Sequence, residues 1–159
     1  MRLRACLAAA AALVLAACSA EPATAPRPSP SVSLPSPPSA AAPGDVRDMS
    51  TPRAFATNLR AYAVGDALGA DDRAVLVGWL RGNTTGDTLI RAAVPAGWQV
   101  GDKTGAGGYG TRNDIAVLWP PGGPPIVLTI MSTRGERDAR ADDALVAQAA
   151  VLAIEALER

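Results

Sequence analysis

Gly101-Asp102-Lys103-Thr104-Gly105-Ala106-Gly107-Gly108-Tyr109-Gly110-Thr111-Arg112-Asn113-Asp114 is the stretch on which the fold turns. A short polar segment runs into a glycine-rich turn, and the alternating run that follows reads as the second strand of a β-hairpin. Lys103 is the only lysine in the chain, against 14 arginines. An ammonium binds as a compact point charge where a guanidinium presents a planar fork, so a single lysine in so Arg-biased a sequence marks a candidate site. If the turn is symmetric about Gly107-Gly108, Lys103 stands opposite Arg112 with both side chains on one face. Two cations about 5 to 7 Å apart repel by roughly 2–3 kcal/mol at an effective dielectric near 20, and an anion between them would relieve that. The same letters also allow two solvated cations splayed apart, or a register slip in a glycine-rich hairpin that separates them.

Outward from the hairpin, Trp98 to Lys103, Thr111 to Trp119 and Ile126 to Ser132 read as strands. They are joined by the turn 105–110 and by Pro120-Pro121-Gly122-Gly123-Pro124, which makes an antiparallel meander. Ser50-Thr51 before Pro52 is a helix start, with Phe55, Leu59 and Tyr62 on one face and Gly69 as its end. Asp71-Asp72 opens a second helix burying Val75, Leu76, Trp79 and Leu80 and stopping at Gly82. A short helix around Asp87 to Ala93 carries Leu89 and Ile90, and Pro95 ends it. A final helix from about Arg140 to Leu157 has Leu145, Ala149, Leu152 and Ala156 spaced to pack on the sheet.

With 159 residues and zero net charge, the chain is sized for one domain plus appendages, and it has no global field favouring nucleic acid. There is no histidine and there are two cysteines, so neither a zinc site nor imidazole base catalysis can be assembled, and no metal or cofactor is expected. Gly105-Ala106-Gly107-Gly108-Tyr109-Gly110 matches a dinucleotide fingerprint by letters but leads into a strand where that motif must open a helix. Asp102 stands before the lysine where a phosphate loop demands glycine.

Residues 1–17 read as a signal peptide: Met1-Arg2-Leu3-Arg4 is basic, and Ala5 to Ala17 is apolar but too brief to span a bilayer. The ending Leu15-Ala16-Ala17-Cys18-Ser19 looks like a bacterial lipobox, with Cys18 as the lipidated residue. The other reading is an ordinary cleavage site followed by a free thiol. Cys6 leaves with the signal, so no disulfide is expected. Residues 18–42 are rich in Pro, Ser and Ala and cannot bury enough surface to order, which makes them a tether of about 3 Å per residue. The chain is thus expected to be exported and lipid-anchored to the outer face of the bacterial cell membrane.

Residues 43–159 carry a family resemblance. Pro43-Gly44-Asp45-Val46-Arg47-Asp48, Ser50 to Leu59, Trp79 to Asp87, Val94-Pro95-Ala96-Gly97-Trp98, Lys103-Thr104-Gly105 and Ile115 to Pro120 follow one another as similar phrases do in class A serine β-lactamases. The resemblance implies an α+β fold: the C-terminal half of the β-lactamase/transpeptidase-like architecture, a three-stranded antiparallel meander with packing helices and an incomplete sheet. It implies an anionic β-lactam as ligand. Lys103 and Thr104 match residues that bind the carboxylate of a penicillin or cephalosporin, and Arg112 matches an arginine beside them. Gly105 lets the ligand approach the strand, and the Ala106 amide matches an oxyanion donor.

The same resemblance shows what these 159 residues lack. One lysine leaves no Ser-x-x-Lys, no serine precedes an Asp-Asn pair, and Glu21, Glu136, Glu155 and Glu158 are unlike the deacylating glutamate. Asp48 matches an aspartate that clamps the glutamate-bearing loop by pairing with an arginine, and this sequence does not supply that arginine. Ser50-x-x-Arg53 offers no base, because arginine stays protonated, and Ser132 is far in sequence from one. The expected function is therefore that of a β-lactamase family member inactive as this chain, with no catalytic residue assigned. The alternative is a non-catalytic surface lipoprotein binding anionic β-lactams or D-Ala-D-Ala-like ends.

Overall fold

A computed structural model describes residues 42–47 and 49–158. The signal peptide, Cys18, the tether as far as residue 41 and Asp48 lie outside the described residues. The elements are α1 (Pro52–Ala63), α2 (Ala70–Arg81), α3 (Ile90–Ala93), β1 (Gln99–Ala106), β2 (Arg112–Trp119), β3 (Ile126–Ser132) and α4 (Asp143–Leu157). The strands form one antiparallel sheet in the order β1-β2-β3, so the fold is the α+β meander with packing helices.

Helices cover both faces of the sheet, and each face has its own core. On one, Ala116 and Leu118 of β2 meet Leu89, Ile90 and the α4 residues Val146, Ala150 and Ile154. On the other, Val117 meets Leu59, Ala63 and Leu80 of α1 and α2. Alternation along β2 makes this possible, since Ala116 and Leu118 point one way and Val117 the other, and all three are fully buried.

The helix starts follow their chemistry. Thr51 caps α1, its hydroxyl accepting from the Ala54 amide at 3.1 Å ahead of Pro52. Asp142 caps α4 by accepting from Leu145 N–H at 2.9 Å. Gly82 caps the end of α2 as expected. Gly69 does not end α1, which stops at Ala63 with two amides on the Arg60 carbonyl, and it precedes α2 instead.

Three helix faces differ from the sequence expectation. Phe55 and Tyr62 of α1 and Val75 and Trp79 of α2 are exposed, as are Leu145 and Leu152 of α4. The buried α4 residues are Val146, Ala150 and Ile154, a face turned by one to two positions from the expected Leu145, Ala149, Leu152 and Ala156. The reason is a lack of contrast. α4 is apolar nearly all round, and Val75 to Leu80 offer apolar side chains in every direction, so periodicity alone cannot choose a face. On α2 the choice is made by Gly101 in β1, where a Cβ would lie 3.0 Å from Leu80 Cβ and 3.2 Å from the Arg81 amide nitrogen.

Candidate functional site

The hairpin register corrects the two-cation geometry. β1 continues through Thr104 and Gly105 to Ala106, so the turn is shorter than 105–110 and is centred near Tyr109. Ala106 pairs with Arg112 and Lys103 pairs with Ile115. Lys103 and Arg112 are therefore on opposite faces of the sheet and do not confront each other.

The turn is held from outside. Tyr109 (φ 60°) and Gly110 (φ 60°) are both left-handed, a conformation costly for tyrosine. The segment after β3 clasps them: Arg134 N–H donates to the Tyr109 carbonyl at 2.7 Å, and Tyr109 N–H donates to the Arg137 carbonyl at 3.1 Å. A Cβ at Gly110 would sit 2.9 Å from the Arg140 carbonyl oxygen.

Thr104, Ala106 and Arg112 share the α3/α4 face. Arg112 is engaged by a carboxylate from α4, with Nε on Asp143 Oδ1 at 2.7 Å and Nη2 on Oδ2 at 3.3 Å. The Thr88 hydroxyl donates to the same carboxylate at 2.6 Å. These bonds, the Arg112 pair foremost, hold the Asp143 carboxyl below its usual range. Lys103 has no carboxylate partner among the described residues, and its Nζ turns along the strand to donate to the Thr104 carbonyl at 2.6 Å.

Beneath Thr104 runs a chain of side chains. Thr104 and Thr85 hydroxyls are 2.6 Å apart, Thr85 donates to Asn83 Oδ1 at 2.9 Å, and Asn83 Nδ2 donates to Asp102 Oδ2. Arg91 completes the chain, with Nε on Asp102 Oδ1 at 3.0 Å and Nη2 on the same oxygen. Each hydroxyl has one proton. With the Thr85 proton on Asn83, Thr104 is the donor between the threonines. Asp102 is fully buried, and a Cβ at Gly86 would fall 1.9 Å from its Oδ2, so only glycine leaves room for this carboxylate.

A second buried carboxylate, Asp114, pairs across the strands with Thr104. Its Oδ2 accepts from Ile90 N–H at 3.0 Å, while Oδ1 has no partner among the described residues. Burial pushes its pKa up to about 7, against the Ile90 bond, and the charge of Asp102 adds to the rise.

Sequence reasoning named Lys103, Thr104, Gly105, Ala106 and Arg112 but missed Asn83, Thr85, Thr88, Arg91 and Asp143. Asn83-Thr84-Thr85 looks like an ordinary turn, and no local pattern connects residues that meet from 19 or 31 positions away.

The class is defined by a Lys-Thr-Gly-Ala strand at the edge of an antiparallel sheet, beside an arginine-bearing strand and backed by a C-terminal helix. The family model described as "Beta-lactamase enzyme family" matches residues 27–157, and the chain belongs to the class A β-lactamase family. It is 62% identical over 119 residues to a β-lactamase of Amycolatopsis lactamdurans, covering 75% of this chain and 39% of that protein. It is 53% identical over 120 residues to a β-lactamase of Bacillus subtilis (strain 168), covering 76% and 39%. The crystal structure of a halotolerant bacterial β-lactamase superposes with a TM-score of 0.72 at 57% identity, over 74% of this chain and 45% of that one. The chain thus spans about two fifths of the length of the curated relatives it matches.

Proposed function

We propose that residues 43–159 form the anion-recognition side of a β-lactam site, and that this 159-residue chain does not by itself complete hydrolysis through an acyl-serine. Thr104 and Arg112 meet the carboxylate of a penicillin or cephalosporin from the α3/α4 face, Lys103 reaches round the β1 edge from the other face to lend its positive charge, Gly105 leaves room for the ligand along β1, and the Ala106 amide faces its carbonyl. The observation that carries this reading is the Lys103 ammonium. It is exposed on β1, the edge strand of the sheet, and lies against the Thr104 carbonyl with no carboxylate to neutralise it among the described residues. Arg112, compensated by Asp143, adds orientation more than net charge. Binding alone does not raise turnover, and Ser-x-x-Lys, Ser-Asp-Asn and a deacylating glutamate are not among these residues.

The test is hydrolysis of a chromogenic cephalosporin beside covalent labelling by a fluorescent penicillin. Neither reaction is expected. Weak reversible binding should appear, falling with added salt and with Lys103→Ala. Turnover that disappears with Lys103→Ala in a chain of verified length would overturn the non-catalytic reading. The lipobox sequence supports attachment of this body to the membrane through Cys18. Membrane fractionation should retain the protein and Cys18→Ser should release it, whereas a wild-type protein wholly in the culture fluid would refute the anchor.

A further inference from the structure

Charge on the α3/α4 face of the sheet is taken up in pairs. Arg91 is bound to Asp102 and Arg112 to Asp143, while Asp87, which reaches Arg91 at 3.7 Å, is largely exposed. Asp114 is the acid left over. It is fully buried, its Oδ2 accepts one bond from Ile90 N–H, and its Oδ1 has no partner among the described residues. It pairs with Thr104 on β1 and with Ile130 on β3, and Arg112 stands two residues before it on β2. Residues two apart on a strand share a face, so this carboxyl sits behind the two groups that meet the ligand.

The charge of this one acid decides what an anion meets. Lys103 is the cation with no carboxylate partner among the described residues. An ionised Asp114 would set a negative charge behind Thr104 and offset that ammonium, whereas a neutral one leaves it uncompensated. On β1 the charge of Asp102 opposes ionisation of Asp114. On β2 Arg112 favours it but is already committed to Asp143 of α4, while α3 supplies one amide and β3 pairs an isoleucine. A buried carboxyl with a single hydrogen bond and no cation of its own keeps its proton into the neutral range, and burial raises the Asp114 pKa to about 7.

We propose that Asp114 is a proton-linked determinant of anion affinity, so that an anion seated on Thr104 and Arg112 is bound together with a proton on the Asp114 carboxyl. The proton comes from solvent and no other bond changes. This inference rests on the anion-recognition role given above to Thr104 and Arg112. Linkage is reciprocal: the anion strengthens proton binding by the factor by which the proton strengthens anion binding. Two negative charges about 7 Å apart at an effective dielectric near 30 repel enough to change affinity about tenfold. The chain contains no histidine, so no imidazole titrates across neutrality to obscure the effect.

The experiment titrates the full chain with benzylpenicillin and, separately, with inorganic sulfate, at constant ionic strength because exposed charges are screened by salt. Both anions keep their charge across neutrality. Affinity should fall close to tenfold from about pH 5.5 to about pH 8.5. Calorimetry in two buffers of different ionisation enthalpy should show uptake of about half a proton near pH 7.5, a reading that needs no variant. Asp114→Asn keeps an acceptor for Ile90 N–H and copies the neutral carboxyl, so it should hold the acid-side affinity at every pH and take up no proton. A merely structural role would instead weaken binding at every pH in that variant and leave the wild-type profile flat. Wild-type affinity that does not change with pH, or proton uptake that persists in Asp114→Asn, would overturn the proposal. Sulfate binding with the expected profile beside no binding of benzylpenicillin would uphold it and overturn only the β-lactam reading, and binding of neither anion at any pH would overturn both.

Discussion

The two faces of the sheet are built on different physics. Beneath α1 and α2 the core is apolar, with Leu59, Ala63, Leu80 and Val117 buried together and Lys103 exposed along β1 with its ammonium on the Thr104 carbonyl. Beneath α3 and α4 an apolar core surrounds two fully buried carboxylates, and the same face carries Thr104 and Arg112. Burying a carboxylate is costly unless it is paired and hydrogen-bonded. Asp102 meets that condition with Arg91 and Asn83, and Asp114 meets it only in part. The polar side chains near the site are thus held by a network that also supports the fold on that face, whereas the other face rests mainly on apolar packing, with the Arg81 guanidinium 4.5 Å over the Trp119 ring at its margin.

The strongest way to break this contrast is Asp102→Ala. It strands the Asn83 amide next to a cavity and leaves the Arg91 guanidinium only the longer, exposed contact with Asp87 at 3.7 Å, and removing one partner of a buried pair typically costs about 3–5 kcal/mol. Leu80→Ala on the apolar face should cost about 2–4 kcal/mol through lost burial and a cavity. Urea denaturation of both variants checks the order. A smaller loss for Asp102→Ala than for Leu80→Ala would mean that the network adds little to stability.

Asp114 should make the stability of the body depend on pH. Its folded pKa is about 7 against the ordinary carboxylate value of 3.8, so between those values the folded state holds a proton that the unfolded state has released. The group's contribution is therefore complete below about pH 4 and is lost as pH rises through 7, with a slope approaching about 1.4 kcal/mol per pH unit. Denaturation midpoints measured from pH 4 to 8 should fall across that window, and Asp114→Asn should flatten the curve. A wild-type midpoint that rises toward neutrality would show that Asp114 is ionised when folded.

The smallest expected effect is at Thr85. As arranged, the Thr104 proton points to Thr85, so Thr104 must turn to donate to a ligand carboxylate. Thr85→Val removes that competitor, worth about 1 kcal/mol, and should tighten binding of an anionic β-lactam about fivefold by equilibrium titration. Weaker binding would mean that Thr85 orients Thr104 for the ligand and does not compete with it.

The legible parts of this molecule are those governed by neighbours in the chain. Thr51-Pro52 starts a helix, Gly82 ends one, the run from Ile126 to Ser132 is a strand, and Lys103-Thr104-Gly105 lies on β1. Capping, glycine freedom and alternation act within a few residues, so the sequence by itself determines them. The hairpin register was decided elsewhere. Symmetry about Gly107-Gly108 is a fair reading of a glycine-rich turn, but bonds from Arg134 and Arg137 hold Tyr109 and Gly110 left-handed and recentre it. That shift of the axis separates Lys103 from Arg112 and gives the latter to Asp143. The buried faces of α2 and α4 were also beyond the sequence, since both helices are apolar in too many directions for period to choose. Only the tertiary structure, through the close approach at Gly101 and the packing of Val146, Ala150 and Ile154 on β2 and β3, selects one face, because burial is a property of what the helix meets and not of the helix alone.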